Sequence, residues 1–149
     1  MFRNAAFIAT AATLMLGACA QSSTAPGASA PADIRSLQQS VGDAQVTAAG
    51  AFAGRSNHVT TGSAAIARQG GQWVVVLGPD FFFDGAPDPH VALGKNGYDK
   101  NASLAKLQSN NGQQIYAIPA GLDVANFSEI WIWCDQFSVP LGVASLTLT

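Results

Sequence analysis

From residue 45 onward the chain stops repeating at helical spacing. Short stretches that alternate or run apolar, rich in Val, Ile, Thr and aromatics, are separated by clusters of Gly, Pro, Asn and Asp. That is the pattern of β-strands joined by tight turns. It predicts strands over Val46–Phe52, Val59–Arg68, Gln72–Leu77, Asp80–Phe83, His90–Gly94, Gln113–Ile118, Ser128–Phe137 and Val139–Leu148. Ala102–Leu107 fits either a turn of helix or an edge strand. Gln69-Gly70-Gly71 is a hairpin turn, because glycine accepts positive φ. The run Gly85-Ala86-Pro87-Asp88-Pro89 is a loop, and a second, polar loop passes through Asn96-Gly97. No internal repeat of about 20 to 50 residues is present. The expected fold is all-β, an antiparallel β-sandwich or barrel of about eight short strands.

The first 44 residues follow other rules. Met1-Phe2-Arg3-Asn4 is a short basic start, and Ala5–Leu16 is an unbroken run of apolar and small residues with Thr. The run is too short to cross ~30 Å of hydrocarbon as a helix, but it has the length of a signal-peptide core. Leu16-Gly17-Ala18-Cys19 resembles a bacterial lipobox, so residues 1–18 are read as a lipoprotein signal peptide and Cys19 as the lipidated residue. Ala20, not Asp, follows it, which favours an outer-membrane destination facing the periplasm or the cell surface. Residues 21–32 are Ser-, Ala-, Gly- and Pro-rich, a flexible tether without the means to build a core. Spacing of Ile34, Leu37 and Val41 predicts a short helix over Asp33–Val41. The domain proper is expected over residues 45–149.

Composition narrows the partners. Only 11% of the 149 residues are charged, the net charge is -2, and no basic tract exists. Nucleic acid is therefore not expected, since phosphate binding needs clustered Lys and Arg. The expected partner is a membrane, through the N-terminal lipid. Gly-x-Ser-x-Gly, His-Glu-x-x-His and phosphate-loop motifs are absent, so hydrolase chemistry has no anchor here.

Of two cysteines, lipidation uses Cys19 and leaves Cys134 unpaired. An odd cysteine in an exported chain is either a reactive thiol or a small buried hydrophobe. Alternation over Ser128–Phe137 places Trp131, Trp133, Asp135 and Phe137 on one face and Ile130, Ile132, Cys134 and Gln136 on the other. Both faces are apolar over most of the length, so this strand is expected to be central. Cys134, where the faces turn polar, is expected half-sheltered near a loop rim.

Six motifs spread through the body carry a family resemblance. They are Gly50-x-Phe52-x-Gly54, His58-x-x-x-Gly62-x-Ala64, Pro87-Asp88-x-x-Val91-x-Leu93, Gly112-x-Gln114-x-Tyr116-x-Ile118-Pro119, Ile132-Trp133-Cys134-x-x-Phe137-x-Val139 and Gly142-x-Ala144-x-Leu146. Together they resemble the electron-transfer DM13 domain over residues 46–148. Ala86 departs from the family's usual Gly before Pro-Asp. The resemblance implies an exported β-rich redox module, and with it a redox partner protein; its characteristic cysteine maps onto Cys134, acting as a bare thiol or as ligand to a prosthetic group.

On that reading Cys134 is the central candidate, with His58 and Asp88 as further catalytic candidates and Trp133, Tyr116 and His90 as candidate cofactor contacts. His58 or His90, if close, would lower the thiol pKa and raise its reactivity. No cofactor is required by the sequence. Copper would need both histidines and Cys134 to converge, and both methionines leave with the signal. Haem lacks a Cys-x-x-Cys-His motif. The competing reading is a non-catalytic ligand- or protein-binding envelope module with a structural Cys134. Tests of accessibility separate the two.

Overall fold

The computed structural model describes residues 34–149; the expected signal peptide, the expected lipidation of Cys19 and the expected tether fall outside the described residues. A short helix α1 (Ile34–Ser40) precedes eleven strands: β1 (Gln45–Gly54), β2 (Thr60–Thr61), β3 (Ser63–Gln69), β4 (Gln72–Leu77), β5 (Phe82–Phe83), β6 (Pro89–Gly94), β7 (Tyr98–Lys106), β8 (Gln114–Ala117), β9 (Glu129–Cys134), β10 (Val139–Ser145) and β11 (Thr147–Leu148). The main sheet runs β7-β6-β9-β10-β1-β3-β4-β8, all antiparallel, with β11 also on β1 and a separate β2–β5 ribbon. The sheet curls into a nearly closed barrel. Its seam is bridged where the Gln108 N–H, just past β7, donates to the Tyr116 hydroxyl and Gln114 Oε1 of β8 (3.0 and 3.2 Å).

Alternation explains the layers. In β3 and β4, Ala64, Ile66, Val75 and Leu77 fill the barrel interior with Phe52, Phe81, Phe83, Leu93 and Ile132. Ala65, Ala67, Val74 and Val76 point outward to Leu37 and Val41 of the α1 region, forming a second apolar layer. The small alanines let the helical turn lie close to the sheet. At Thr47 a bulge interrupts β1 between Val46 and Ala48, and this extra residue puts Val46 and Ala49 together on the α1 side. A bulge re-aims side chains in this way by breaking the two-residue period.

The all-β reading and the turn at Gly70-Gly71 (φ +56° and +83°) are present as expected. Several predicted boundaries are corrected. Val59–Arg68 is not one strand: Gly62, at φ +100°, breaks it, and Thr60-Thr61 leave to pair with Phe82-Phe83. Asp80 belongs to a turn rather than to β5, because its carboxylate binds Ser63 N and Oγ (3.0 and 2.6 Å). Ala102–Leu107 resolves as strand and begins earlier, at Tyr98, after a turn through Asn96 and Gly97. Ser128–Phe137 ends at Cys134, and residues 135–138 turn the chain into β10. Phe137 is accordingly 60% exposed instead of lying on a strand face. Val139–Leu148 is two strands, broken at Leu146 where its N–H turns to Ser128 O (2.8 Å).

Candidate functional site

The end of β9 meets the start of β6: Cys134 is in register with Pro89, and Trp133 with His90. Cross-strand partners share a face, so His90 and Trp133 stand together on the outside of the barrel while Cys134 points inward. Asp135, the first residue past β9, accepts a hydrogen bond from His90 Nδ1. Asp88 approaches the other imidazole nitrogen at 3.8 Å and binds Lys106 Nζ of β7 at 2.8 Å. The Lys106 ammonium holds the Asp88 carboxyl below its usual range. Tyr98 closes the group from above, its ring parallel to Trp133 with centroids 4.1 Å apart. Burial, with the negative charge of Asp135 adding, raises its phenol above its ordinary value.

The other histidine is held separately. His58 Nδ1 bonds Asp84 Oδ1 (2.8 Å), whose second oxygen accepts from Val59 N (2.9 Å), and the imidazole lies beside Phe83. The Val59 amide, helped by His58, lowers the Asp84 pKa. A carboxyl that titrates lower when folded than when unfolded contributes stability above the unfolded value, near pH 4. That contribution fades as the pH falls through the lowered one. Asp84→Asn is therefore expected to lower the melting temperature at neutral pH and to shrink the further drop between pH 5 and pH 3, as followed by circular dichroism. A drop on acidification as large as the parent's would place the effect elsewhere.

Cys134 differs from expectation. It is 1% exposed and packed in the interior cluster, not half-sheltered at a rim. The reason is its register: an inward position on a central strand flanked by β6 and β10. Both imidazoles direct a nitrogen to a carboxylate, and neither bonds the thiol. Tyr116 is also interior. Its hydroxyl donates to Gln114 Oε1 (2.6 Å) and accepts from the Gln108 amide, so it serves the barrel seam. Of the residues singled out from sequence, the fold brings together Asp88, His90 and Trp133, but keeps His58 in its own pair and seals Cys134 and Tyr116 inside. Tyr98, Asp135 and Lys106 completed the cluster without being foreseen. Asp135 had a signal in its place directly after Cys134, whereas Tyr98 and Lys106 arrive through the β6–β7 pairing.

This geometry does not fit copper held by two His and one Cys. His90 and Cys134 lie on opposite faces of the sheet, and His58 is bound to Asp84. Nor does it fit haem, since Phe81, Phe83, Leu93, Ile130 and Leu141 fill the interior. The side chains of Asp88, His90 and Asp135 place one donor atom each within 4.8 Å of one another. However, the two carboxylates sit at opposite imidazole nitrogens and Lys106 already supplies a cation to Asp88. The cluster is complete in itself.

No curated protein and no solved structure matches this chain. A family model does, described as electron transfer DM13 and aligned to residues 52–146. That span holds β2 to β10, both histidine pairings, the Tyr98–Trp133 stack and Cys134. By a match covering most of its length, the chain belongs to the electron-transfer DM13 family.

Proposed function

We propose that this chain is an electron-transfer domain tethered to the bacterial envelope by lipid on Cys19, exchanging electrons with a partner protein across the outer face of β7, β6 and β9. Family membership supports the redox half of this reading. The observation that carries the location is the parallel Tyr98–Trp133 stack, two oxidisable rings at the surface of the strand that holds Cys134. Electron transfer needs proximity but no bond between donor and acceptor. Thiol–disulfide exchange needs sulfur to attack sulfur directly, which a buried Cys134 does not allow in the closed fold. In this reading Cys134 is a packing residue beneath the exchange face. The encounter would be brief and small, as redox contacts are, burying less than about 1,200 Å² in total. The Leu16–Cys19 motif, Ala20 and the tether support the envelope location, with Ala20 favouring the outer membrane.

Two measurements test it. Labelled palmitate is expected to enter the parent chain and not Cys19→Ala. In protein-film voltammetry the purified chain is expected to give a faradaic current that Trp133→Leu loses and Cys134→Ala keeps. Identical traces from parent and Trp133→Leu would favour a second reading, which the burial of Cys134 also supports: a ligand- or protein-binding envelope module whose cysteine is structural.

A further inference from the structure

We propose that Trp131 is a redox residue whose one-electron oxidation is coupled to transfer of its indole proton to the Glu129 carboxylate, an inference that rests on the electron-transfer reading and deepens it. The pair is built by register. Glu129 and Trp131 stand two residues apart on β9 and share its outer face with Trp133. On β6, Gly94 is opposite Glu129 and Ala92 is opposite Trp131. A Cβ at Gly94 would lie 2.6 Å from Trp131 Nε1 and 2.9 Å from its Cδ1, so the bare glycine lets the indole lean over β6 toward the glutamate. There Trp131 Nε1 donates to Glu129 Oε2 (3.1 Å), and the same oxygen accepts from Gly97 N (2.8 Å). The turn that presents Gly97 is closed by Lys95 N on Gly97 O (3.1 Å). Both side chains of the pair are half-buried. Among the described residues Glu129 forms no ion pair, so no cation competes for its charge.

Loss of an electron makes the indole N–H an acid comparable with a carboxylic acid. A carboxylate already bonded to that N–H takes the proton without rearrangement, and the electron leaves more easily. The step balances as follows: one electron passes from Trp131 to a one-electron oxidant, the Nε1–H bond breaks, and an O–H bond forms on Glu129. The products are a neutral indolyl radical, a protonated carboxyl and the reduced oxidant, and re-reduction returns the proton. The other two tryptophans supply the contrast. Trp73 carries the Arg68 guanidinium 5.5 Å from its ring centroid, which opposes a positive charge there. Trp133 is stacked on Tyr98, about 7 Å along the strand from Trp131. A partner takes its electron through that stack, and Trp131 refills the stack and holds the oxidised state.

The test uses the full chain and a photogenerated trivalent ruthenium tris-bipyridine oxidant, with transient absorption separating the neutral indolyl radical from its protonated cation. The neutral radical is expected in the parent and in Trp73→Phe, and not in Trp131→Phe. Glu129→Gln keeps an oxygen for both N–H groups but is too weak a base to hold the proton. It is expected to form the radical at least about tenfold more slowly, the lower range for loss of a positioned base. It is also expected to show the protonated cation and to lose the slowing in heavy water that the parent shows. A merely structural Glu129 would leave that isotope effect unchanged. The glutamine arm reads an intact Trp131, so it decides even where Trp131→Phe fails to fold. A neutral radical that survives in folded Trp131→Phe, or a Glu129→Gln chain with the parent's isotope effect, overturns the proposal. A chain that forms the Trp131 radical yet passes no voltammetric current keeps this site and removes the electron-transfer reading. Current that persists in Trp131→Phe does the reverse.

Discussion

A thiol reagent is expected to modify Cys134 at least about a thousandfold more slowly in the folded domain than in the unfolded chain. The experiment uses Cys19→Ala, which leaves Cys134 as the chain's one sulfhydryl, and compares labelling in buffer and in denaturant. Cys134 is 1% exposed, surrounded by the interior cluster, on a strand bonded on both sides. The reagent must wait for β9 to leave the sheet. Central strands open only at free energies near that of global unfolding, at least about 5 kcal/mol for a stable domain. Each 1.4 kcal/mol is about tenfold, so the retardation exceeds about 10³. Labelling within about tenfold of the unfolded rate would mean that the β9 end opens by itself. That result would return the thiol to the position of exchange centre and displace the surface aromatic pair.

Gly50→Ala is expected to destabilise the domain by about 3 kcal/mol or more, the upper range for forcing an extra carbon into a packed site. Gly50 lies where β1 changes partners, from β11 at Ala48 and Ala49 to β10 at Phe52. The chain crosses from one partner to the other directly over it. A Cβ at Gly50 would stand 2.0 Å from Ser145 O and 2.9 Å from its carbonyl carbon. Both are backbone atoms, so relief requires moving the β10–β11 corner. For a domain of this size the loss corresponds to about 10 °C in melting temperature. Gly121→Ala, where an added Cβ meets nothing, is the control and is expected to stay within about 0.5 kcal/mol. Equal melting of both variants would show that the corner yields, and would remove the packing account of the Gly50-x-Phe52-x-Gly54 motif.

That motif shows how far sequence reading reaches. Its glycines were visible as a pattern, but their reason is contact between residues about a hundred positions apart. Gly54 repeats the lesson locally, an added Cβ lying 2.0 Å from His58 O. The strand carrying Trp131, Trp133 and Cys134 was legible, including its central place, because both faces are apolar and β9 lies between β6 and β10. Its last three residues were not. Asp135, Gln136 and Phe137 continue the alternation in composition while the backbone already turns. Which face meets solvent is not encoded in a strand apolar on both, so Cys134 is 1% exposed where the sequence predicts a half-sheltered thiol.

By itself the sequence determined the β class, most strands, the Gly70-Gly71 turn and the family, since period-two patterning and turn residues are local and the family motifs are strings of neighbours. The tertiary structure alone decided that Cys134 faces the core, that His90 joins Asp135 and Asp88 while His58 joins Asp84, and that Tyr98 lies on Trp133. These outcomes depend on register and bulges. A one-residue shift exchanges the faces of a strand, and the bulges in β1, β7 and β10 are set by long-range pairing that no local pattern encodes.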